Sequence, residues 1–172
     1  MSQLDPASLL REFTHLLPPK GMALDLACGG GRNAVYLARR GLEVTGIDWS
    51  EKSLDEAKDL ARKVEVQVNW VHENLESSLI SVAHFDVITC FYYRDPCLYS
   101  QIISALHPGG LLFYETFTRE QLHFQTGPRN LAHLLAPGEL LQSFSKLKVL
   151  FYRETSREAG LGSMVAQKNL RS

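Results

Sequence analysis

The stretch from Met22 to Arg40 constrains this chain most. Met22-Ala-Leu-Asp-Leu-Ala27 is a short apolar run carrying one acid, Asp25. Cys28 and three consecutive glycines, Gly29, Gly30 and Gly31, follow at once. Arg32 to Arg40 (RNAVYLARR) then reads as a helix that Gly41 ends. A six-residue apolar run bounded by glycine reads as a buried strand. A buried strand that turns through glycine into a helix opens an α/β unit with parallel strands.

The rest of the chain repeats the alternation. Leu42 to Asp48 (LEVTGID) reads as a second strand, and Ser50 is placed to cap a helix over Glu51 to Lys63. Val64 to Val71 alternates apolar and polar residues, as a third strand does. Phe85 to Tyr92 is a fourth strand, and Asp95-Pro96 opens a helix through Leu106. Pro108-Gly109-Gly110 reads as a turn into a fifth strand, Leu111 to Phe117. Residues 118–136 show no clear periodic signal and read as a long functional loop with a short helical piece. Pro137 to Phe144 is a short helix, and Lys146 to Arg153 and Ser163 to Lys168 complete the strands. At the N-terminus, residues 7–17 (ASLLREFTHLL) have helical apolar spacing and stop at Pro18-Pro19. That helix either caps a ligand as a lid or packs on the sheet. The 172 residues fit one domain, 1–172, with residues 1–19 as its N-terminal helix.

In an open α/β sheet, a glycine turn between strand and helix lies at the ligand-binding edge. Free backbone N–H groups there attract polar or anionic groups. Asp48, at the end of the second strand, can accept hydrogen bonds from both hydroxyls of a ribose. Loop and acid together point to a nucleoside ligand. The spacing Gly29-x-Gly31-x-x-Ala34 also fits a nicotinamide dinucleotide fingerprint. Asp25 inside the first strand and the short chain tilt the reading away from that ligand.

Leu24-Asp-Leu-Ala-Cys-Gly-Gly-Gly-Arg-Asn-Ala-Val-Tyr-Leu-Ala38 resembles motif I of class I S-adenosylmethionine-dependent methyltransferases, in the form of their small tellurite-resistance branch. Val44-Thr-Gly-Ile-Asp48, Phe85-Asp-Val-Ile88 and Leu106-His-Pro-Gly-Gly-Leu-Leu112 resemble that family's second, fourth and fifth strand motifs. The resemblance spans roughly residues 20–118. It implies a Rossmann-like, mostly parallel seven-stranded sheet in the order 3-2-1-4-5-7-6 with helices on both faces. It implies S-adenosylmethionine as cofactor and S-adenosylhomocysteine as product. Asp25, Ala27, Cys28, Gly29 and Gly31 would cradle the methionine end, with Arg32 and Asn33 at the helix start. Asp48 would hold the ribose and Trp49 would lie against the adenine. Asn74 or Glu73, with Leu75 beside, would meet the adenine edge, and Cys90 or Phe91 would offer a carbonyl to the ammonium. Ala27 stands where the family has its first glycine, and Asn74 where it often has Asp. The alternatives are an NAD(P)-linked oxidoreductase and a nucleoside-binding module without catalysis.

Methyl transfer from a sulfonium is an in-line displacement, helped mainly by proximity and orientation. Aromatic faces stabilise the cationic sulfur, and Phe91, Tyr92 and Tyr93 end the fourth strand at the rim. Strand alternation would send only one of the two tyrosines into the pocket. A base is needed only for a protonated acceptor. Tyr93, Arg94, Asp95, Glu115 and His123 are candidates by location, with Asp95 also a helix cap. His123 and Arg129 could recognise an acidic acceptor. Arg32 either binds the cofactor carboxylate or forms a surface salt bridge. The Asn/Asp-Pro-Pro-Tyr pattern of amino-methylating enzymes is missing from Cys90-Phe-Tyr-Tyr93. Cys97 after Pro96 looks only superficially like a cytosine-methylating nucleophile, and an inert thiol is its ordinary reading. Scattered histidines, and His72-Glu73 without a following H-E-x-x-H pattern, give no metal centre.

The partner expected is a small-molecule acceptor. A formal net charge of −1 argues against nucleic acid, which demands basic excess. Residues 1–118 carry 10 basic and 15 acidic side chains, and residues 119–172 carry 8 and 4, so an anionic acceptor is allowed near the C-terminal part. No apolar run approaches the ~20 residues of a membrane span. The N-terminus lacks the pattern of a secretory signal. Three cysteines, an odd number, suit reduced thiols in a cytoplasm.

Overall fold

The computed structural model describes residues 5–77, 79–81 and 84–170. Expectations that include residues 1–4, 78, 82–83 and 171–172 lie, at those positions, outside the described residues. Seven strands form one sheet: β1 Gly21–Leu26, β2 Leu42–Asp48, β3 Asn69–His72, β4 Phe85–Phe91, β5 Leu106–Phe117, β6 Lys148–Thr155 and β7 Leu161–Gln167. Their order is β3-β2-β1-β4-β5-β7-β6, as the resemblance implied. The first five pair in parallel, and β7 runs antiparallel to both β5 and β6. This is the class I methyltransferase fold.

Helices cover both faces. α1 (Ser8–Glu12) and α2 (Arg32–Ala38) pack Leu9, Leu10, Ala34 and Leu37 against Ala23, Val44, Val87 and Phe113. α4 (Tyr99–Ala105) and α5 (Glu139–Ser143), with the Phe144 that caps α5, pack Ile102, Leu140 and Phe144 against Leu24, Ile88, Leu112 and Met164 on the opposite face. α3 (Glu51–Lys63) sets Leu60 and Ala61 against Val35 of α2. Its Ser50 cap forms as expected, the hydroxyl accepting from the Ser53 N–H at 3.3 Å.

Four elements differ from the sequence reading. The third strand begins at Asn69, because Val64 to Val66 close α3 instead. Their N–H groups bond the carbonyls of Ala61 and Arg62, and Glu65 takes a positive φ of 56°. The Val64/Val66 alternation reflects packing against Leu60, not strand pairing. The N-terminal helix is shorter than 7–17: α1 stops at Glu12 and a 3-10 turn covers Thr14–Leu16. The Pro96 segment starts as a 3-10 turn, Pro96–Leu98, before α4. Strand β5 absorbs Pro108-Gly109-Gly110, because the Gly109 N–H bonds the Lys168 carbonyl and the Lys168 N–H bonds that of Gly110.

Candidate active site

A cleft with a volume of about 790 Å³ lies at the carboxyl ends of β1, β2 and β4. That is the size range of a small-molecule site. Three stitches hold its floor. The Cys28 N–H donates to the Ile47 carbonyl at 3.0 Å. Oδ2 of Asp48 accepts from the Gly29 N–H at 2.8 Å, and Oδ1 accepts from Ser50 at 2.9 Å. These bonds fix the glycine loop to the tip of β2 through the acid itself. An ionised carboxylate has about four lone-pair sites, so it retains acceptor capacity toward further donors.

Glycine is required here for two separate reasons. Gly29, at φ 52°, has nothing within 4 Å of where a Cβ would stand, so its bare face opens on the cleft. Gly31, at φ 78°, would put a Cβ 2.6 Å from the Trp70 ring and 2.7 Å from the Ala57 methyl. Ala27 takes a positive φ of 52° despite its side chain. That is costly for an L-residue and accounts for a glycine being the natural occupant.

Asp25 does not face the cleft. It is buried beneath the loop, opposite Thr89 in the β1–β4 register. Its Oδ1 accepts from Thr89 Oγ1 at 2.7 Å and its Oδ2 from the Ala34 N–H at 3.1 Å. Burial pushes its pKa up to about 7, against the opposing pull of those two bonds and of Arg32. Asp25 therefore acts on the loop from below.

Of the other expected cofactor residues, Ala27, Cys28, Gly29, Arg32, Asn33, Asp48 and Trp49 line the cleft. Trp49 is 74% exposed and its carbonyl meets His72 Nε2 at 2.7 Å. Asn33 also ties down the N-terminal segment, its Oδ1 accepting from the Ala7 N–H at 2.8 Å. Leu75 and Cys90 are buried in the core. Burial pushes the Cys28 thiol up, and the Cys90 thiol up to about 12, so both are neutral. Asn74 accepts from the Glu76 N–H at 3.0 Å and shapes the turn after β3.

The aromatic rim departs from expectation. Phe91, Tyr92 and Tyr93 all line the cleft. Alternation fails because β4 ends at Phe91 and Tyr92 takes a φ of 58°, which turns the backbone and brings both tyrosines inward. Burial raises the Tyr93 phenol to about 12, so at neutral pH it is a hydrogen-bond donor and no base.

The remaining candidates separate. Asp95 is a cap, its Oδ1 accepting from the Cys97 N–H at 2.9 Å. Cys97 itself is exposed. His123 is turned to solvent, 3.3 Å from Glu120. Arg129 donates to the carbonyls of Phe124 and Leu122 and so braces its own loop. Arg94 is engaged by Glu139 through two bonds, 2.8 and 3.0 Å, and by the Ala132 carbonyl at 2.7 Å. Tyr99 and the Ala136 N–H complete the same carboxylate. Burial alone would raise Glu139, but the Arg94 and Tyr99 bonds outweigh it and hold its pKa below the ordinary carboxylate value. Glu115 is buried on β5 and accepts from Ser163 Oγ at 2.7 Å.

Ser53, Glu56 and Leu60 of α3 also line the cleft and were missed. Their i, i+3, i+7 spacing places them on one helix face, which is the signal that could have found them. Gly46 was missed too. A Cβ there would stand 2.7 Å from the Trp70 ring and 3.1 Å from Cys28 Sγ, so its absence lets Cys28 sit under the loop. Among the described residues no cluster of three His, Cys, Asp or Glu could hold a metal ion. No helix among them is long and apolar enough to cross a membrane.

Comparison with known proteins agrees with this architecture. The family described as "Methyltransferase domain" matches residues 23–110. Ubiquinone biosynthesis O-methyltransferase of Coxiella burnetii (strain RSA 493 / Nine Mile phase I) is 34% identical over 123 residues, covering 67% of this chain and 53% of the relative. The enzyme of the same name from Citrobacter koseri is 37% identical over 102 residues, covering 56% and 42%. The chain thus spans about half the length of these curated relatives. Among solved structures, TehB from Haemophilus influenzae superposes with a TM-score of 0.79 at 20% identity, covering 93% of this chain and 61% of that one. A SAM-dependent methyltransferase from Methanosarcina mazei gives 0.72 at 23% identity, covering 93% and 98%. With its sheet order, its glycine loop and the family match over half its length, the chain belongs to the methyltransferase-domain family.

Proposed function

We propose that this protein transfers a methyl group from S-adenosylmethionine to a small-molecule acceptor. The observation that carries this reading is the convergence, in one cleft, of the open face of Gly29, the Asp48 carboxylate and the exposed Trp49 ring. A Cβ-free loop admits close approach of a ligand, a carboxylate takes ribose hydroxyls and a free indole face takes a purine. The donor set therefore fits the cofactor. Bound S-adenosylmethionine supplies an electrophilic methyl group on a positively charged sulfur.

The chain's own residues do the rest. Ala27 to Gly31 and Asn33 hold the amino-acid end, Arg32 offers a guanidinium to its carboxylate, and Asp48 and Trp49 fix the nucleoside. Cys90 contributes through its backbone, and Asn74 and Leu75 border the adenine. Asp25 keeps the loop in register from below. The rings of Phe91, Tyr92 and Tyr93 exclude water and favour positive charge beside them. Fixing the acceptor in line with the methyl carbon then supplies most of the acceleration. The similarity to two ubiquinone biosynthesis O-methyltransferases supports a small organic acceptor. Three free cysteines suit a reducing cytoplasm.

Calorimetry with S-adenosylhomocysteine and with NAD tests this reading. We expect saturable binding of the first and none of the second. Binding of NAD alone, or of neither, would overturn it.

A further inference from the structure

Glu139 opens α5, and its carboxylate accepts four hydrogen bonds. Oε1 accepts from Arg94 Nε at 2.8 Å and from the Tyr99 hydroxyl at 2.7 Å. Oε2 accepts from Arg94 Nη2 at 3.0 Å and from the Ala136 N–H at 2.8 Å. An ionised carboxylate has about four acceptor sites, so this one is fully used. The Glu139 and Arg94 side chains are only 13% and 16% exposed. A two-pronged arginine–carboxylate pair fixes the orientation of the guanidinium as well as its distance. Neither side chain lines the cleft, but Arg94 directly follows Tyr93, which does. β4 ends at Phe91, so Tyr93 and Arg94 lie beyond the strand. The Tyr93 carbonyl is held separately, by the Tyr114 hydroxyl at 2.9 Å. The Tyr114 and Tyr99 rings stand edge to face, their centroids 6.0 Å apart, and the Tyr99 hydroxyl returns to Glu139. Two routes therefore lead from one carboxylate to the peptide that carries the Tyr93 ring.

We infer that Glu139 is a positioning residue: through the Arg94 fork and the Tyr99–Tyr114 pair it sets the Tyr93 ring in the cleft wall, where that ring favours the charged methyl donor over the neutral product. This rests on the methyl-transfer reading above. Tyr93 faces the donor; Glu139 acts through it. A ring face attracts a cation, and S-adenosylmethionine carries its positive charge on the sulfur that S-adenosylhomocysteine holds as an uncharged thioether. A Tyr93 ring released from its anchors stands away from the sulfur part of the time, and that attraction falls. The contacts proposed for Asp48 and Trp49 are shared by both ligands and stay as they are. Loss of a merely structural anchor acts differently, since it weakens both ligands alike or changes stability alone.

Calorimetry on the full chain gives the ratio of affinities for S-adenosylmethionine and S-adenosylhomocysteine in wild type, Glu139→Gln, Tyr93→Leu and the double variant. We expect Tyr93→Leu to lower that ratio about three- to tenfold, the scale of a cation over an aromatic face. Glu139→Gln should lower it in the same direction by about threefold, a part of the same attraction. The double variant should lower it no further than Tyr93→Leu alone, because the two residues act as one unit. Tyr93→Phe, which keeps the ring, should keep the wild-type ratio. Urea unfolding identifies the folded variants. If Glu139→Gln does not fold, Arg94→Lys is read in its place, since it keeps the charge and loses the fork. A wild-type ratio in Glu139→Gln or in Tyr93→Leu would overturn the positioning role. So would losses in the two single variants that add in the double. Wild type that binds neither ligand would instead overturn the cofactor reading beneath it.

Discussion

Asp48 Oδ2 and the Gly29 backbone N–H, 19 residues apart in sequence, are joined at 2.8 Å across the tips of β1 and β2. The same carboxylate therefore shapes the loop and faces the cleft. We predict that Asp48→Ala weakens S-adenosylhomocysteine binding by at least ~1 kcal/mol, since it removes charge-assisted acceptors. Asp48→Asn, which keeps one acceptor oxygen, should lose less. Calorimetry on folded variants measures both; equal affinity for Asp48→Ala and wild type would contradict the role.

Trp49 separates binding from stability. With 74% of its surface exposed, its loss should change folding free energy by no more than about 0.5 kcal/mol. The expected cost to S-adenosylhomocysteine affinity in Trp49→Ala is about 1 kcal/mol of stacking. Urea denaturation and calorimetry on one preparation give both numbers. A fold that collapses, or an affinity that does not move, would count against the assignment.

Ala27 and Gly31 are expected to respond in opposite directions. Ala27 already sits at φ 52°, so Ala27→Gly should stabilise the protein by up to about 1 kcal/mol, the relief of αL strain exceeding glycine's added unfolded-state entropy. Gly31→Ala should destabilise it by about 2–4 kcal/mol, because φ 78° and the Trp70 and Ala57 contacts both oppose a methyl group. Denaturation midpoints decide; a less stable Ala27→Gly would show that the site tolerates alanine without strain.

Asp25 predicts a pH dependence of folding. Its pKa rises from 3.8 in the unfolded chain to about 7 in the fold, so the native state binds more protons between those values. Its contribution is fully present below about pH 3.8 and is lost as pH rises through 7. Asn fits the same bonds, its oxygen accepting from Ala34 and its amide donating to Thr89, whose hydroxyl turns to the Leu24 carbonyl at 3.4 Å. Asp25→Asn should therefore gain on wild type by an amount on the order of a few kcal/mol between pH 5 and pH 8. Paired denaturation curves at the two pH values measure it, and a pH-independent difference would refute the burial argument.

Local signals carried much of this protein. The alternation of apolar runs and helices, the glycine turn and the Ser50 and Asp95 caps follow from residues within a few positions of each other, where sterics and hydrogen bonding act directly. The sheet order and the Asp48 position were legible through the resemblance of their motifs. What lay beyond reach were contacts between distant segments. Thr89 meets Asp25 only because β1 and β4 pair in one register, and Glu139 meets Arg94 only because α5 returns to the end of β4. Tyr92 leaves the strand pattern because its backbone turns at the tip of β4, with its N–H tied to the Glu115 carbonyl of the neighbouring strand. The chain by itself determined the kind of sheet and the edge at which its cleft lies. Tertiary structure decided which side chains meet there, since parallel pairing brings together groups that no local spacing relates.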